Sequence, residues 1–125
     1  MLLPDVGDDE RFSVAIAHFN AEEFDVAADL FEELFFEAVR DEVELVRALL
    51  QIATAIHHVE RNQFRAAAER LEEGIRAIEA ITNARGVDLV RLGQDAVALR
   101  AAIALRASGD RTQIEWPRIL RGSSS

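Results

Sequence analysis

The chain has 125 residues, which is enough for one domain around one hydrophobic core. Because 50% of the residues are hydrophobic, the body of the chain is not disordered, and because cysteine is absent, disulfide frameworks and thiolate chemistry are excluded. The formal net charge is −9. This acidic balance, without a basic stripe, argues against a nucleic-acid partner.

All 14 basic residues are arginine, and lysine is absent. Either a GC-rich genome or adaptation to high salt accounts for this bias, and the acidic excess favours the halophilic explanation. The acidic beginning lacks the basic and apolar regions of a signal peptide, and no apolar run is long enough to cross a bilayer. We therefore expect a cytoplasmic protein without a membrane partner.

Apolar residues at a period of 3.6 predict five helices. The first covers residues 9–19, with Asp8 or Asp9 as its N-cap, and the second covers 22–38. The third, over 41–60, is apolar around so much of its circumference that it is expected to be central, and the fourth covers 63–81. The predicted inward residues of these four helices are Phe12, Ala15, Ile16, Phe19, Phe24, Ala27, Phe31, Leu34, Leu45, Leu49, Ile52, Ile56, Val59, Phe64, Ala67, Leu71, Ile75 and Ile78.

After a turn at 82–86, a fifth helix is predicted over 87–107, with Gly109 as a left-handed residue just beyond its end. Its apolar residues form one heptad seam, namely Leu89, Leu92, Ala96, Leu99 and Ile103. The first 110 residues are expected to form one helical domain, with hairpins at 9–38 and 41–81. Residues 111–125 lack a period and form a tail whose last residues are expected to be frayed. The tail contains the only tryptophan, Trp116, and we expect it to cover an open end of the hairpins rather than to bind a partner.

The sequence also repeats itself at an offset of forty residues. His18, Phe24 and Ala27 fall on His58, Phe64 and Ala67. In each half a phenylalanine opens the second helix, and an alanine pair one turn later allows two antiparallel helices to approach closely. This pattern is typical of tetratricopeptide-type helical hairpins, although the period is longer than theirs.

The two hairpin junctions resemble the domain of unknown function 309 family. The matching blocks are Phe19-Asn20-Ala21-Glu22-Glu23-Phe24 followed by Ala27-Ala28-Asp29, Leu49-Leu50-Gln51 followed by His57-His58 and Arg61, and Ala66-Ala67 followed by Leu71. The resemblance implies a helical fold similar to tetratricopeptide hairpins, without an established biochemical role. Where the family pattern has a glycine in the first turn, this chain has Glu22, and where the pattern has a histidine, this chain has Ala28. The missing histidine weakens any enzymatic interpretation that the resemblance implies.

One polar seam interrupts the apolar third helix, because Gln51, Thr54, His58 and Arg61 recur at intervals of three, four and three. The functional interpretation is a ligand-binding or acid–base stripe that faces Glu32 on the second helix. The structural interpretation, which we favour, is a hydrogen-bond network that fixes the register of the helix.

No motif specifies a cofactor, and a metal site is not expected because His57 and His58 point about 100° apart on a helix. The preferred hypothesis is a non-catalytic helical interaction module that binds a peptide, a protein partner or a second copy of itself through its concave face or its fifth helix. The alternative is a small enzyme or ligand-binding protein that uses the polar seam between the second and third helices.

Overall fold

The computed structural model describes residues 9–111 and 113–122, and this part of the chain contains five α-helices. They are α1 (Glu10–Asn20), α2 (Phe24–Glu37), α3 (Val43–Glu60), α4 (Phe64–Ala80) and α5 (Leu89–Ala107). Each helix packs chiefly on its neighbours in sequence, so α3 lies between α2 and α4. The prediction of an all-α, five-helix fold is confirmed.

The helix ends differ from the predicted ones by one or two residues for local reasons. The second helix begins at Phe24 because Glu22 adopts a φ of 64°, which no α-helical residue can have. The fifth begins at Leu89 because the Asp88 carboxylate accepts a hydrogen bond from the Arg91 N–H at 3.0 Å. A short 3₁₀ turn, Arg40–Glu42, precedes α3.

The predicted apolar stripes meet in one core. The α3 side chains Leu45, Leu49, Ile52 and Ile56 are completely buried, as expected for the central helix. Most of the other predicted core residues are buried as well. Phe64, Ile75 and Ile78 of α4 are only half-buried, although they pack against this core.

The two helix–turn–helix junctions have the same backbone hydrogen bonds forty residues apart. The Glu23 N–H donates to the His18 carbonyl at 2.9 Å, and the Gln63 N–H donates to the His58 carbonyl at 2.9 Å. At the centre of each turn stands a residue in the left-handed region, Glu22 in the first and Asn62 in the second. The sequence repeat therefore corresponds to a repeated turn geometry.

The first turn holds a glutamate where the backbone favours glycine, so Glu22→Gly is expected to stabilise the protein by roughly 0.5–1 kcal/mol. Glycine removes the penalty of roughly 1–2 kcal/mol that a glutamate pays in the left-handed conformation. This gain exceeds the free-energy cost of the greater chain entropy that glycine adds to the unfolded state. The measurement is urea denaturation followed by circular dichroism. The matched change Asn62→Gly should gain less, because asparagine tolerates this conformation, and a larger gain at Asn62 than at Glu22 would contradict the argument.

The tail packs against the first hairpin. Trp116 lies edge-on to Phe24 with ring centroids 5.6 Å apart, and Ile119 is only 1% exposed. The Asn20 side chain, at the end of α1, bonds both backbone groups of Ile119. The expectation of a frayed end concerns residues 122–125. The Gly122 N–H donates to the Gly86 carbonyl at 2.7 Å, and residues 123–125 lie outside the described residues.

Candidate functional site

The polar seam of α3 lies on the side of the helix that faces α4. The Gln51 Nε2 donates to a carboxylate oxygen of Glu73 on α4 at 2.9 Å. Close packing accompanies this contact, because a Cβ added to Gly74 would come within 3.4 Å of the Gln51 Cβ. Gln51 therefore contributes to the contact between α3 and α4.

His58 is bound within the turn that follows its helix. Its Nδ1 lies 2.7 Å from the Oε1 of Gln63, the last residue before α4. The same pairing occurs forty residues earlier, where the Nδ1 of His18 lies 3.0 Å from a carboxylate oxygen of Glu23. Both histidines thus connect the end of one helix to the residue that precedes the next.

The remaining seam residues are less enclosed. Thr54 is half-buried, whereas Arg61 is exposed at the C-cap of α3, where its N–H donates to the His58 carbonyl at 3.1 Å. Glu32 is exposed on α2, and the side-chain hydrogen bonds of Gln51 and His58 run to Glu73 and Gln63 instead of to it. The structure joins the seam to α4 and its turn, whereas the sequence interpretation paired it with α2.

A shallow groove of about 360 Å³ lies where the first turns of α3 meet the last turns of α4. Its lining is almost entirely charged and consists of Glu44, Arg47, Glu73, Arg76 and Ala77. The guanidinium of Arg47 also lies 5.5 Å from the ring centre of Phe35 on α2. Because carboxylates and guanidinium groups alternate, the groove has no uniform sign of charge with which to select a ligand.

Acidic side chains gather where α2 begins and α3 ends. Partial burial raises the pKa of Glu60, and the nearby charges of Asp25 and Glu22 act in the same direction, against the opposing effect of His57. The carboxylates of Asp9 and Glu37 behave differently, because hydrogen bonds from Arg11 lower the pKa of each. Across the described residues, no group of three His, Cys, Asp or Glu side chains is placed to hold a metal ion.

The outer face of α5 is apolar and open to solvent. Val90 is 72% exposed, and Val97 and Leu105 are each 46% exposed. Three further exposed alanines lie on the same face, namely Ala98, Ala101 and Ala104. The opposite face of the helix, which carries Leu92, Ala96, Leu99 and Ile103, is buried.

A second exposed apolar spot lies at the end of α2, where Phe36 is 79% exposed beside Phe35, with ring centroids 6.3 Å apart. Val39, in the following loop, is 56% exposed. This spot is smaller than the outer face of α5, which extends over four turns of helix. Within residues 9–111 and 113–122, none of the helices has the length and hydrophobicity required to span a membrane.

Asn20 was not singled out from the sequence, and the fifth helix was named as a binding surface without the residues of its exposed face. For Asn20 a signal existed, because the residue at the equivalent position of the repeat is Glu60, so the two halves differ at this point. The buried seam of α5 was recognised from its spacing. The exposed valines and alanines recur at a similar spacing on the opposite face, and they were not recognised as a second surface.

Comparison with known proteins finds a family match over the two hairpin junctions. The family model of the domain of unknown function (DUF309) matches residues 12–70, a segment that runs from α1 into α4 and contains both turn junctions. Searches of the curated proteins and of the solved structures return no significant match.

Proposed function

We propose that this chain, whose residues 12–70 belong to the DUF309 family, is a non-catalytic helical module that assembles with a second copy of itself through the outer face of α5. The observation that carries this proposal is the exposure of Val90, Val97 and Leu105 on one face of a helix whose other face packs chiefly on α4. Exposed apolar stripes of this length are typical of interaction surfaces.

The order of residues along this face suits an antiparallel, two-fold pairing of α5 with itself. If the symmetry axis passes between Val97 and Ala98, Val90 of one copy lies opposite Leu105 of the other. Large side chains then meet at the two ends, and at the centre each Val97 lies opposite Ala98, whose small side chain permits close approach of the helices. Gln94 is the one polar residue between Val90 and Val97 on this stripe, and it lies opposite Ala101 in that register.

Charge opposes this assembly at low ionic strength, because each copy has a net charge of −9. Added salt screens the repulsion, whereas burial of apolar surface is not weakened by it. Assembly through α5 should therefore strengthen as salt rises. We assign the module to the cytoplasm, where adaptation to high salt would explain the acidic, lysine-free composition.

The ligand-binding alternative on α3 has weaker support. The pairing of His58 with Gln63 has a counterpart in His18 and Glu23, on a helix that lacks the polar seam. A contact that recurs at both junctions is best explained by the junction, so we assign His58 to holding the turn. Likewise, we assign Gln51 to stabilising the contact between α3 and α4 through its hydrogen bond to Glu73.

The test is the mass of the protein in solution, measured by analytical ultracentrifugation at about 0.1 M and about 1 M NaCl, where the Debye lengths are about 10 Å and 3 Å. We expect a dimer that is more populated at high salt, and a monomer for Val97→Asp with an unchanged helical spectrum. The matched control is Phe36→Asp, which puts the same charge on the other exposed apolar spot. A monomeric wild-type chain at both salt concentrations, or a dimer lost in Phe36→Asp but not in Val97→Asp, would refute the proposal.

A further inference from the structure

The acidic charge of the chain is concentrated at α2. Residues 22–37 include seven acidic side chains and no basic one, so this segment carries −7 of the net charge of −9. The rest of the chain has 16 acidic and 14 basic residues and carries only −2. An acidic surface that served only solubility in salt would be spread over all the helices, so its concentration on one helix indicates a local role.

Most of the carboxylates on the outer face of α2 have no opposite charge beside them. Four of them are exposed on this face, namely Asp25, Asp29, Glu32 and Glu33. Within the part of the chain that the structure describes, none of the four accepts a side-chain hydrogen bond or forms an ion pair. On α4, by contrast, Glu69 pairs with Arg65 at 3.7 Å. Glu72 pairs with Arg100 of α5 at 3.0 Å. The carboxylates of α2 are therefore available to a positively charged partner.

An exposed aromatic side chain lies on the same face of α2. Phe36 is 79% exposed, and it follows Asp29 by seven residues and Glu32 by four, which are the spacings of one helix face. Val26, near the other end of the face, is 38% exposed. The opposite side of the helix faces the core through Phe24, Ala27, Phe31 and Leu34. The outer face thus combines apolar contact area with unpaired negative charge.

We propose that the outer face of α2 binds a basic amphipathic helix of a partner protein, whose basic side chains pair with the four carboxylates and whose apolar stripe covers Phe36. Charge complementarity determines the sign of the partner. A helical partner fits because the backbone groups of α2 are bonded within the helix, so its face offers nothing to the unpaired backbone of an extended peptide. The face extends over three turns from Asp25 to Phe36, about 16 Å, so a partner helix of about four turns covers it.

Arginine is the cation that best matches this face. Inside the chain, the guanidinium of Arg47 lies 5.5 Å from the centre of the Phe35 ring, and that of Arg121 lies 4.9 Å from the centre of the Phe12 ring. The same contact on Phe36 would place a guanidinium beside carboxylates that can accept two of its N–H groups at once. Lysine lacks this planar pair of donors, so arginine-rich helices should bind more tightly than lysine-rich ones.

The inference does not depend on the assembly through α5, which uses a different helix. A second copy of this chain is disfavoured on α2, because it would bring a net charge of −9 to an acidic face. The two surfaces also respond oppositely to salt. Apolar assembly through α5 strengthens as the Debye length falls from about 10 Å to about 3 Å, whereas binding between opposite charges weakens.

The experiment measures binding of a model helix to the full chain by fluorescence anisotropy. The probe is a fluorescein-labelled, hydrocarbon-stapled peptide of about four turns, with a leucine stripe flanked by arginines one turn apart. We expect saturable binding at about 0.1 M NaCl, about ten-fold weaker at about 1 M and weaker again for the lysine version of the peptide. Phe36→Ala should weaken binding about ten-fold, and Asp29→Asn combined with Glu33→Gln about five-fold or more. These side chains are exposed, so the variants should keep the helical spectrum.

The matched control is Glu69→Gln combined with Glu79→Gln, which removes the same two charges from the exposed side of α4 and should change binding by less than about two-fold. Equal weakening by this pair, or unchanged binding to Phe36→Ala, would mean that the peptide responds only to net charge and would overturn the inference. Equal binding of a peptide with glutamine in place of arginine would overturn it as well. A wild-type dimer that Phe36→Ala abolishes while Val97→Asp does not would replace the basic partner by a second copy.

Discussion

Replacing Phe24 by alanine is expected to lower the free energy of unfolding by about 3–5 kcal/mol. The ring is 1% exposed and is held edge-on between Phe19, at 5.1 Å, and Trp116, at 5.6 Å between centroids. Its removal leaves a cavity between the first hairpin and the tail and also eliminates two aromatic contacts. Urea denaturation followed by circular dichroism measures the loss.

The matched control is Phe64→Ala, forty residues later and at the same place in the second junction. Phe64 is only half-buried, and the residue equivalent to Phe19 is Val59, so the loss should be clearly smaller. A double-mutant cycle between Phe24→Ala and Trp116→Ala should give a coupling of about 0.5–1.5 kcal/mol. Equal losses at Phe24 and Phe64, or no coupling, would mean that the tail does not support the first hairpin.

The helices were predictable because apolar side chains recur every three or four residues along each of them, and burying them requires that period. Their ends were less predictable, since single residues decide them. The hydrophobic pattern allows a helix that starts at Glu22, but its left-handed backbone postpones the start to Phe24. For α1 the sequence limited the N-cap to Asp8 or Asp9, and the structure has Asp9, whose side chain accepts from the Arg11 N–H.

The forty-residue offset predicted more than helix positions. His18 and His58 occupy equivalent places in the two halves, and so do Glu22 and Asn62. The constant offset therefore implied that the two turns have the same geometry. Side chains need not be identical for this, since Glu23 and Gln63 both offer an oxygen to the preceding histidine. The offset did not predict the surroundings of the two junctions, which differ because the tail covers only the first.

The candidate site was predicted in part. Helical spacing placed Gln51 and His58 on one face of α3, but a helical period does not specify which neighbour that face meets. Since α3 has neighbours on both sides, the choice between Glu32 and Glu73 depends on the packing of the whole array. The contact between Asn20 and Ile119 joins residues 99 positions apart, and no local pattern signals it.

The two ends of the helical array differ in how their apolar surface is covered. At the first hairpin, the tail shields Phe24 and bonds to Asn20. At the other end, Val90, Val97 and Leu105 of α5 remain in contact with solvent. Stacked helices expose an apolar face at each end of an array, so the open face of α5 is the surface that the proposed second copy would cover.

The close contact between α3 and α4 leads to the second large effect, a loss of about 1–3 kcal/mol for Gly74→Val from overpacking. A Cβ added to Gly74 would lie 3.1 Å from the Ile52 Cγ1 and 3.5 Å from the Ala48 carbonyl oxygen, so the branched side chain would force the two helices apart. Gly93→Val is the matched control, because the added Cβ on α5 meets nothing within 4 Å and the change in helix propensity is the same. Thermal and urea denaturation measure the stability of both variants, and the difference between the two gives the cost of the close contact at Gly74. If the two variants are equally stable, the hairpin of α3 and α4 does not depend on this small residue, and close approach of the helices is not what holds the second half of the molecule together.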